Sequence, residues 1–209
     1  MIAGTVYGVV LNDGAERAAL APAFAQAPYR APPIAPVLYI KPHNTILPGG
    51  GDVMLDGLAE IAVAPAIGLI LGRDATRVRP GDALDTIAAA ALALDLSEPC
   101  DSYYRPTVRQ RCRDGFLPVG TPVPFDPALL ETEIVTRIDG VEAHRWSPAR
   151  LIRDAASLIA DVSAFMTLEA GDMLLIGVPH DAPVARRGQR IETDATGFAS
   201  VRATLEGNA

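Results

Sequence analysis

The sequence has little of what most redox and metal chemistry needs. Two cysteines and three histidines stand among 209 residues, too few and too unpatterned for a disulfide framework or a zinc site. Positive charge is also scarce. Eighteen Lys and Arg face 25 Asp and Glu, for a net charge of −7, which argues against a nucleic-acid partner because phosphate neutralisation needs clustered cations. The longest apolar runs are broken by Pro, Gly or Asp well short of a bilayer span. No basic-then-apolar leader opens the sequence, so the expectation is a cytoplasmic protein without a membrane partner.

What is present is ordinary core-forming material. Hydrophobic residues make up 49% and charged residues 21%, and a chain of this length buries roughly 70% of its unfolded surface. With no internal repeat and no dividing linker, residues 1–209 read as one α+β domain, β-rich, with antiparallel pairs dominating.

Gly4 to Leu11 reads as a strand and Ala15 to Gln26 as a helix. Pro28, Pro32, Pro33 and Pro36 impose an extended connection, and Val37 to Ile40 is a short strand that delivers Lys41-Pro42. Gly49-Gly50-Gly51 predicts a loop. Ile61 to Leu71 is a nearly continuous apolar strand, buried on both faces or covered on one by a partner subunit. The Ala/Leu-rich stretch from Asp82 to Leu94 predicts a helix ending near Asp95. Glu133 to Ile138 enters an Asp139-Gly140 hairpin turn. Ser147-Pro148 predicts a helix start, with Leu151, Ile152, Ala155, Leu158, Ile159, Val162 and Phe165 on one face. Gly171-Asp172 turns into the strand Met173 to Gly177, and Arg190 to Asp194 with Val201 to Leu205 forms a closing hairpin.

The few cations gather at Arg105, Arg109, Arg111 and Arg113, beside Tyr103 and Tyr104. Guanidinium groups grip carboxylates through a bidentate fork, and phenols donate to carbonyl or enolate oxygens. That is equipment for a small di- or tricarboxylate. The competing reading is a solvated loop whose arginines pair with the chain's own acids. His43 lies directly after Lys41-Pro42, where it can shuttle a proton near neutral pH, or simply sit on the surface. The arginines flanking Cys112 are expected to lower its thiol pKa.

Tyr103-Tyr104-Arg105-Pro106 followed by Arg113-Asp114-Gly115-Phe116-Leu117-Pro118-Val119-Gly120 resembles the substrate-side signature of the fumarylacetoacetate hydrolase family. Within it, Tyr-Tyr-Arg-Pro resembles the isomerase/decarboxylase branch of 4-hydroxyphenylacetate (homoprotocatechuate) breakdown. Lys41-Pro42, the Gly171-Asp172 turn and Gly177-Val178-Pro179 are similar to further family positions, with Val178 where the family has a threonine. The resemblance implies a mixed β-roll or sandwich with a few helices. It also implies a Mg²⁺ or Mn²⁺ site made by a Glu-x-Glu pair and an aspartate. Ala64 and Ala66 stand where the glutamates belong, and Asp95 is the one remaining candidate ligand. No tightly bound cofactor is therefore expected. The family's His/Glu dyad is replaced as well, by Glu16 and Ala19 after Asn12.

By resemblance, Lys41, Tyr103, Tyr104, Arg105, Arg113 and Asp114 are candidates for substrate binding, and Arg111 and His43 for proton transfer. The implied activity is that of a subunit of the isomerase/decarboxylase, converting 5-oxopent-3-ene-1,2,5-tricarboxylate to the dienol diacid and then to 2-oxohept-3-ene-1,7-dioate. The implied assembly is a homodimer, or a hetero-oligomer with a metal-bearing homologous subunit. Two alternatives stay open: a catalytically weak dicarboxylate-binding or scaffolding protein, and a metal-independent tautomerase.

Overall fold

A computed structural model describes residues 2–99 and 107–207. Its strands are β1 (Val6–Val10), β2 (Val37–Lys41), β3 (Ile46–Pro48), β4 (Gly51–Met54), β5 (Glu60–Leu71), β6 (Ile87–Ser97) and β7 (Leu117–Val119). They continue with β8 (Val123–Pro124), β9 (Ile134–Ile138), β10 (Val141–Trp146), β11 (Met173–Leu175), β12 (Val184–Arg186), β13 (Arg190–Ala195) and β14 (Val201–Glu206). The α-helices are α1 (Gly14–Phe24), α2 (Pro80–Ala83), α3 (Val108–Arg111) and α4 (Ala155–Ser163).

A nine-stranded sheet runs in the order β2-β1-β11-β5-β6-β7-β3, with β12 added to β5 and β8 to β6. A five-stranded sheet runs β10-β9-β13-β14-β4. Among the pairs, β1·β11, β3·β7 and β4·β14 are parallel, and the others are antiparallel. The α+β, strand-dominated expectation is met.

The long β5–β6 ladder positions everything else. Successive side chains of a strand point to opposite faces, so Val63, Ile67, Leu69, Leu92, Leu94 and Leu96 fill the larger core while Ala64, Ala66, Ala91 and Ala93 face the smaller one. Both strands are covered by the chain itself, so a partner subunit is not needed to hide β5. Pro65 is tolerated in this central strand because the odd-numbered N–H groups of β5 point away from β6, as Val63 N to Pro183 O (2.8 Å) shows. On that side Pro65 lies between the stretch paired with β12 and the stretch paired with β11, where no ladder bond is lost.

Two local expectations are overturned. Asp82 to Leu94 is not a helix: after the short α2 and a 3₁₀ turn at Leu84–Thr86, the chain enters β6. Ser147-Pro148 starts only the 3₁₀ turn Pro148–Arg150, and α4 has its own cap at Asp154, which accepts from Ser157 N at 2.8 Å. Leu151 and Ile152 therefore precede α4 rather than lie on it. The hairpins at Asp139-Gly140 and before Val201 form as the sequence predicts.

Candidate functional site

The face of the large sheet that carries Ala64 and Ala66 also carries Asp95, because Asp95 is the direct ladder partner of Ala64 across β5 and β6. Asp95 is fully buried. It does not lie at the end of a helix, as the Ala/Leu-rich stretch predicts, but within β6. A bare buried carboxylate is very costly, and three residues from distant elements compensate it. Lys41, at the end of β2, places Nζ 2.6 Å from Asp95 Oδ1. Arg111, at the end of α3, donates from Nη1 to Oδ2 at 2.6 Å. Tyr39 donates its hydroxyl to the same Oδ2. Tyr39 and Lys41 are two residues apart on one strand and so share a face.

Lys41 is caged. Its ammonium donates to the carbonyl oxygens of Leu96 (2.9 Å), Arg111 (2.7 Å) and Phe116 (2.9 Å). The same ammonium lies 2.6 Å from Asp95 Oδ1, so four oxygens surround it. Burial pulls the Lys41 pKa below the ordinary lysine value, with Asp95 opposing. Three acceptors nevertheless require three N–H protons, so the folded site holds the ammonium form. For Asp95, burial alone would raise the pKa, but the charges of Lys41 and Arg111 outweigh it and hold the carboxyl below its ordinary range. The Arg111 guanidinium also stacks on the Tyr39 ring, 4.8 Å from its centroid.

The other sequence candidates are placed as follows. Arg113 pairs with Glu98 (Nε to Oε1, 2.9 Å) and donates to Asp56 O at 3.0 Å. Asp114 is exposed and accepts from Asn44 Nδ2 at 2.6 Å. His43 is exposed on the 3₁₀ turn His43–Thr45 that follows β2. Tyr103, Tyr104 and Arg105 lie outside the described residues. The structure therefore brings Lys41, Arg111 and Asp95 together. It also adds Tyr39, which sequence reasoning missed although its i, i+2 spacing to Lys41 on a strand was a usable signal. Cys112 corrects a further expectation: burial pushes its thiol pKa up, with Lys41 and Arg111 pulling the other way and losing. Val178 is buried against the Ala64/Ala66 face.

Above this face sits the start of α1. Asn12 donates to Ile176 O and Arg153 O and accepts from Arg153 N, each at 2.9 Å. Buried Glu16 accepts from Leu11 N at 2.8 Å, which fixes the left-handed turn at Leu11 (φ 59°). Both side chains hold the entry to the helix.

A strand-face carboxylate, two buried cations and a phenol beside the Lys-Pro and Asp-Gly-Phe segments define the class. The profile of the fumarylacetoacetate (FAA) hydrolase C-terminal family matches residues 5–206, and the chain belongs to that family. Among curated proteins it is 40% identical over 195 residues to the 4-hydroxyphenylacetate degradation bifunctional isomerase/decarboxylase of Escherichia coli. That match covers 93% of this chain and 45% of the relative, so the chain spans about half the relative's length. Among solved structures, a 5-carboxymethyl-2-hydroxymuconate delta-isomerase from Mycobacterium smegmatis superposes with a TM-score of 0.82 at 22% identity, covering 100% of this chain and 78% of that one. A fumarylpyruvate hydrolase from Pseudomonas aeruginosa, in complex with Mn²⁺ and pyruvate, superposes at 0.81 and 19%, covering 98% and 90%. These two likenesses confirm the fold.

The residues here do not fit a divalent ion. Two of the three positions on the site face are alanines, and both oxygens of Asp95 are engaged by protein cations at 2.6 Å. Hard divalent ions need several oxygen donors, and among the described residues no group of three His, Cys, Asp or Glu converges.

Proposed function

We propose that this chain, acting as one domain, is a subunit or half of a 4-hydroxyphenylacetate degradation isomerase/decarboxylase. It would work beside a homologous part that keeps the acidic metal ligands. The observation that carries the reading is the 40% identity over 93% of this chain to a bifunctional relative about twice as long. Its substrate class is a small di- or tricarboxylate. Decarboxylation of 5-oxopent-3-ene-1,2,5-tricarboxylate and ketonisation of the resulting dienol both pass through an enolate, which fixed cationic or phenolic donors stabilise.

In this reading Tyr103, Tyr104, Arg105, Arg113 and Asp114 contact the substrate, and Arg111 and His43 are the candidates for proton transfer. Lys41 acts indirectly, since its protons are committed to backbone carbonyls. The divalent ion belongs to the homologous part. Assembly is a homodimer or a hetero-oligomer with that metal-bearing homologue.

A second reading, a dicarboxylate-binding or scaffolding homologue, is favoured by the internal pairing of Asp95 with Lys41 and Arg111 and of Arg113 with Glu98. One experiment separates the two. The purified chain is assayed for ketonisation of the dienol diacid with Mg²⁺, alone and mixed with a Glu-x-Glu homologue. Turnover confined to the mixture, with co-elution of the two proteins, supports the first reading. Thermal stabilisation by a dicarboxylate without turnover in either sample supports the second. Turnover by the chain alone that EDTA leaves unchanged would replace both with a metal-independent tautomerase.

A further inference from the structure

The exposed side of α1 borders a second concavity, none of whose lining residues belongs to the Asp95 site. Helix positions four apart share a face, so Glu16, Leu20 and Phe24 form one stripe and Arg17, Ala21 and Ala25 the stripe beside it. The first stripe turns inward: Glu16 and Phe24 are buried, and Leu20 and Phe24 pack in the cluster that holds Ala64 and Ala66. The second stripe borders a groove of about 480 Å³, closed on its other side by Arg30, Ala31 and Pro32 of the connection to β2. We propose that this groove binds a small organic carboxylate with a flat apolar body, an aryl carboxylate, whose charge is held by Arg17 and Arg30. The inference is independent of the isomerase/decarboxylase reading, which assigns no role to any residue of the groove.

Charge, lining and fixity carry it. The lining has two arginines and no acid, in a chain of net charge −7. Most other described arginines are ion-paired, whereas among the described residues no acid pairs with Arg17 or Arg30. Two guanidiniums left without a counter-ion on one groove suit an anion, and their forks match a carboxylate. Every other lining residue is alanine, phenylalanine or proline, so a bare anion would leave most of the groove unfilled. A volume within about 300–1,000 Å³, apolar walls and a few polar groups are the usual make-up of a small-molecule site. The cations are also held in place. The Arg17 guanidinium lies over the Phe24 ring, 5.9 Å from its centroid, and Tyr29 braces that ring edge-on at 5.5 Å. Arg30 takes a left-handed φ of 69°, uncommon outside glycine, and its N–H donates to Gln26 O at 2.9 Å. A ligand here would bridge α1 to the connection before β2 and so steady the helix that covers the Ala64/Ala66 face.

Calorimetric titration of the whole chain with 2-naphthoate tests the proposal. The controls are 2-naphthamide, which keeps the rings without the charge, and acetate, which keeps the charge without the rings. Wild type is expected to bind 2-naphthoate at a single saturable site and to bind neither control measurably. Arg17→Gln and Arg30→Gln should each weaken binding about tenfold or more, as loss of a charge-assisted hydrogen bond does. Ala21→Phe, which fills the groove from an exposed helix position, should abolish it. Melting curves establish that each variant is folded, and any one folded variant suffices to locate the binding. Absence of binding by wild type would overturn the proposal. So would 2-naphthamide binding as tightly (an apolar surface only), acetate binding as tightly (an adventitious ion only), or 2-naphthoate binding that a folded R17Q, R30Q or A21F leaves unchanged.

Discussion

Asp95 is the residue on which the site's energetics turn. Substituting Asn keeps the shape but leaves the buried Lys41 and Arg111 without their shared carboxylate, and breaking buried pairs in this way costs about 3–5 kcal/mol. Against a total stability of about 5–15 kcal/mol, D95N should lower the urea midpoint steeply at neutral pH. The sign of the pH dependence follows from the lowered pKa. Asp95 stabilises the fold fully above its ordinary value of 3.8, and that share is lost as pH falls through its lower folded value. The gap between wild type and D95N should therefore narrow below pH 3.8 in a series of urea midpoints. A gap independent of pH would remove the ion pair from the account. At Cys112, the raised thiol pKa and the contact with Ile40 O at 3.5 Å predict alkylation by iodoacetamide at pH 7 slower than that of a free thiol, read by mass spectrometry. Faster labelling would restore the opposite expectation. Lys41, Arg111 and Asp95 are all visible in the sequence as candidates. Their roles are not, because what fixes them is that positions 41, 95 and 111 meet at one carboxylate.

Among the elements, β6 shows where local propensity misleads. Ala and Leu are strong helix formers, yet Ile87–Ser97 is a strand because it is buried between two cores and paired along most of its length with β5. The usable signal was alternation: Leu92, Leu94 and Leu96 recur every second residue, with alanine or Asp95 between them. The antiparallel partners β1 and β2 carry a subtler dependency. Gly8 is the ladder partner of Tyr39, and a Cβ at position 8 would fall onto the Tyr39 ring. Gly8 therefore leaves the room that lets the Tyr39 hydroxyl reach Asp95. Gly8→Ala should destabilise the chain by about 1–3 kcal/mol, as overpacking does, and should push the Tyr39 ring away from Arg111. Substituting Tyr39→Phe in the G8A background should then cost much less than in wild type, since the hydroxyl contact is already lost. Equal costs in the two backgrounds would mean the ring finds another path.

For the molecule as a whole, the deciding contacts join segments far apart in the chain, which is why the pattern of a single sequence did not disclose them. The clearest case is the network at the entry to α1. Asp13 is fully buried; it caps α1 through Ala15 N (2.8 Å), accepts from Trp146 Nε1 (3.3 Å) and pairs with Arg150 Nη2 (2.8 Å). Arg150 reaches on to Asp181 at 2.8 Å, and His144 Nε2 lies 3.1 Å from the same carboxylate. One guanidinium thus ties the start of α1, the turn after β10 and the segment between β11 and β12. Arg150→Ala strands the buried Asp13 charge and should cost about 2–3 kcal/mol, or about 4–12 °C in Tm for a chain of this size. It should also change the acid response. Partial burial alone would raise the Asp181 pKa, but Arg150 and His144 outweigh it and bring it from 3.8 to about 2. Being lowered, this group stabilises the fold above 3.8 and gives up that contribution as pH falls toward about 2. Asp181 is more than half exposed, so solvent screening keeps its share small, but the direction is firm. R150A should lose less stability than wild type as pH falls from 3.8 toward about 2, so that the gap between the two narrows, and Asp181→Asn should flatten the same window. If instead R150A and wild type trace parallel acid curves, Arg150 acts only through Asp13.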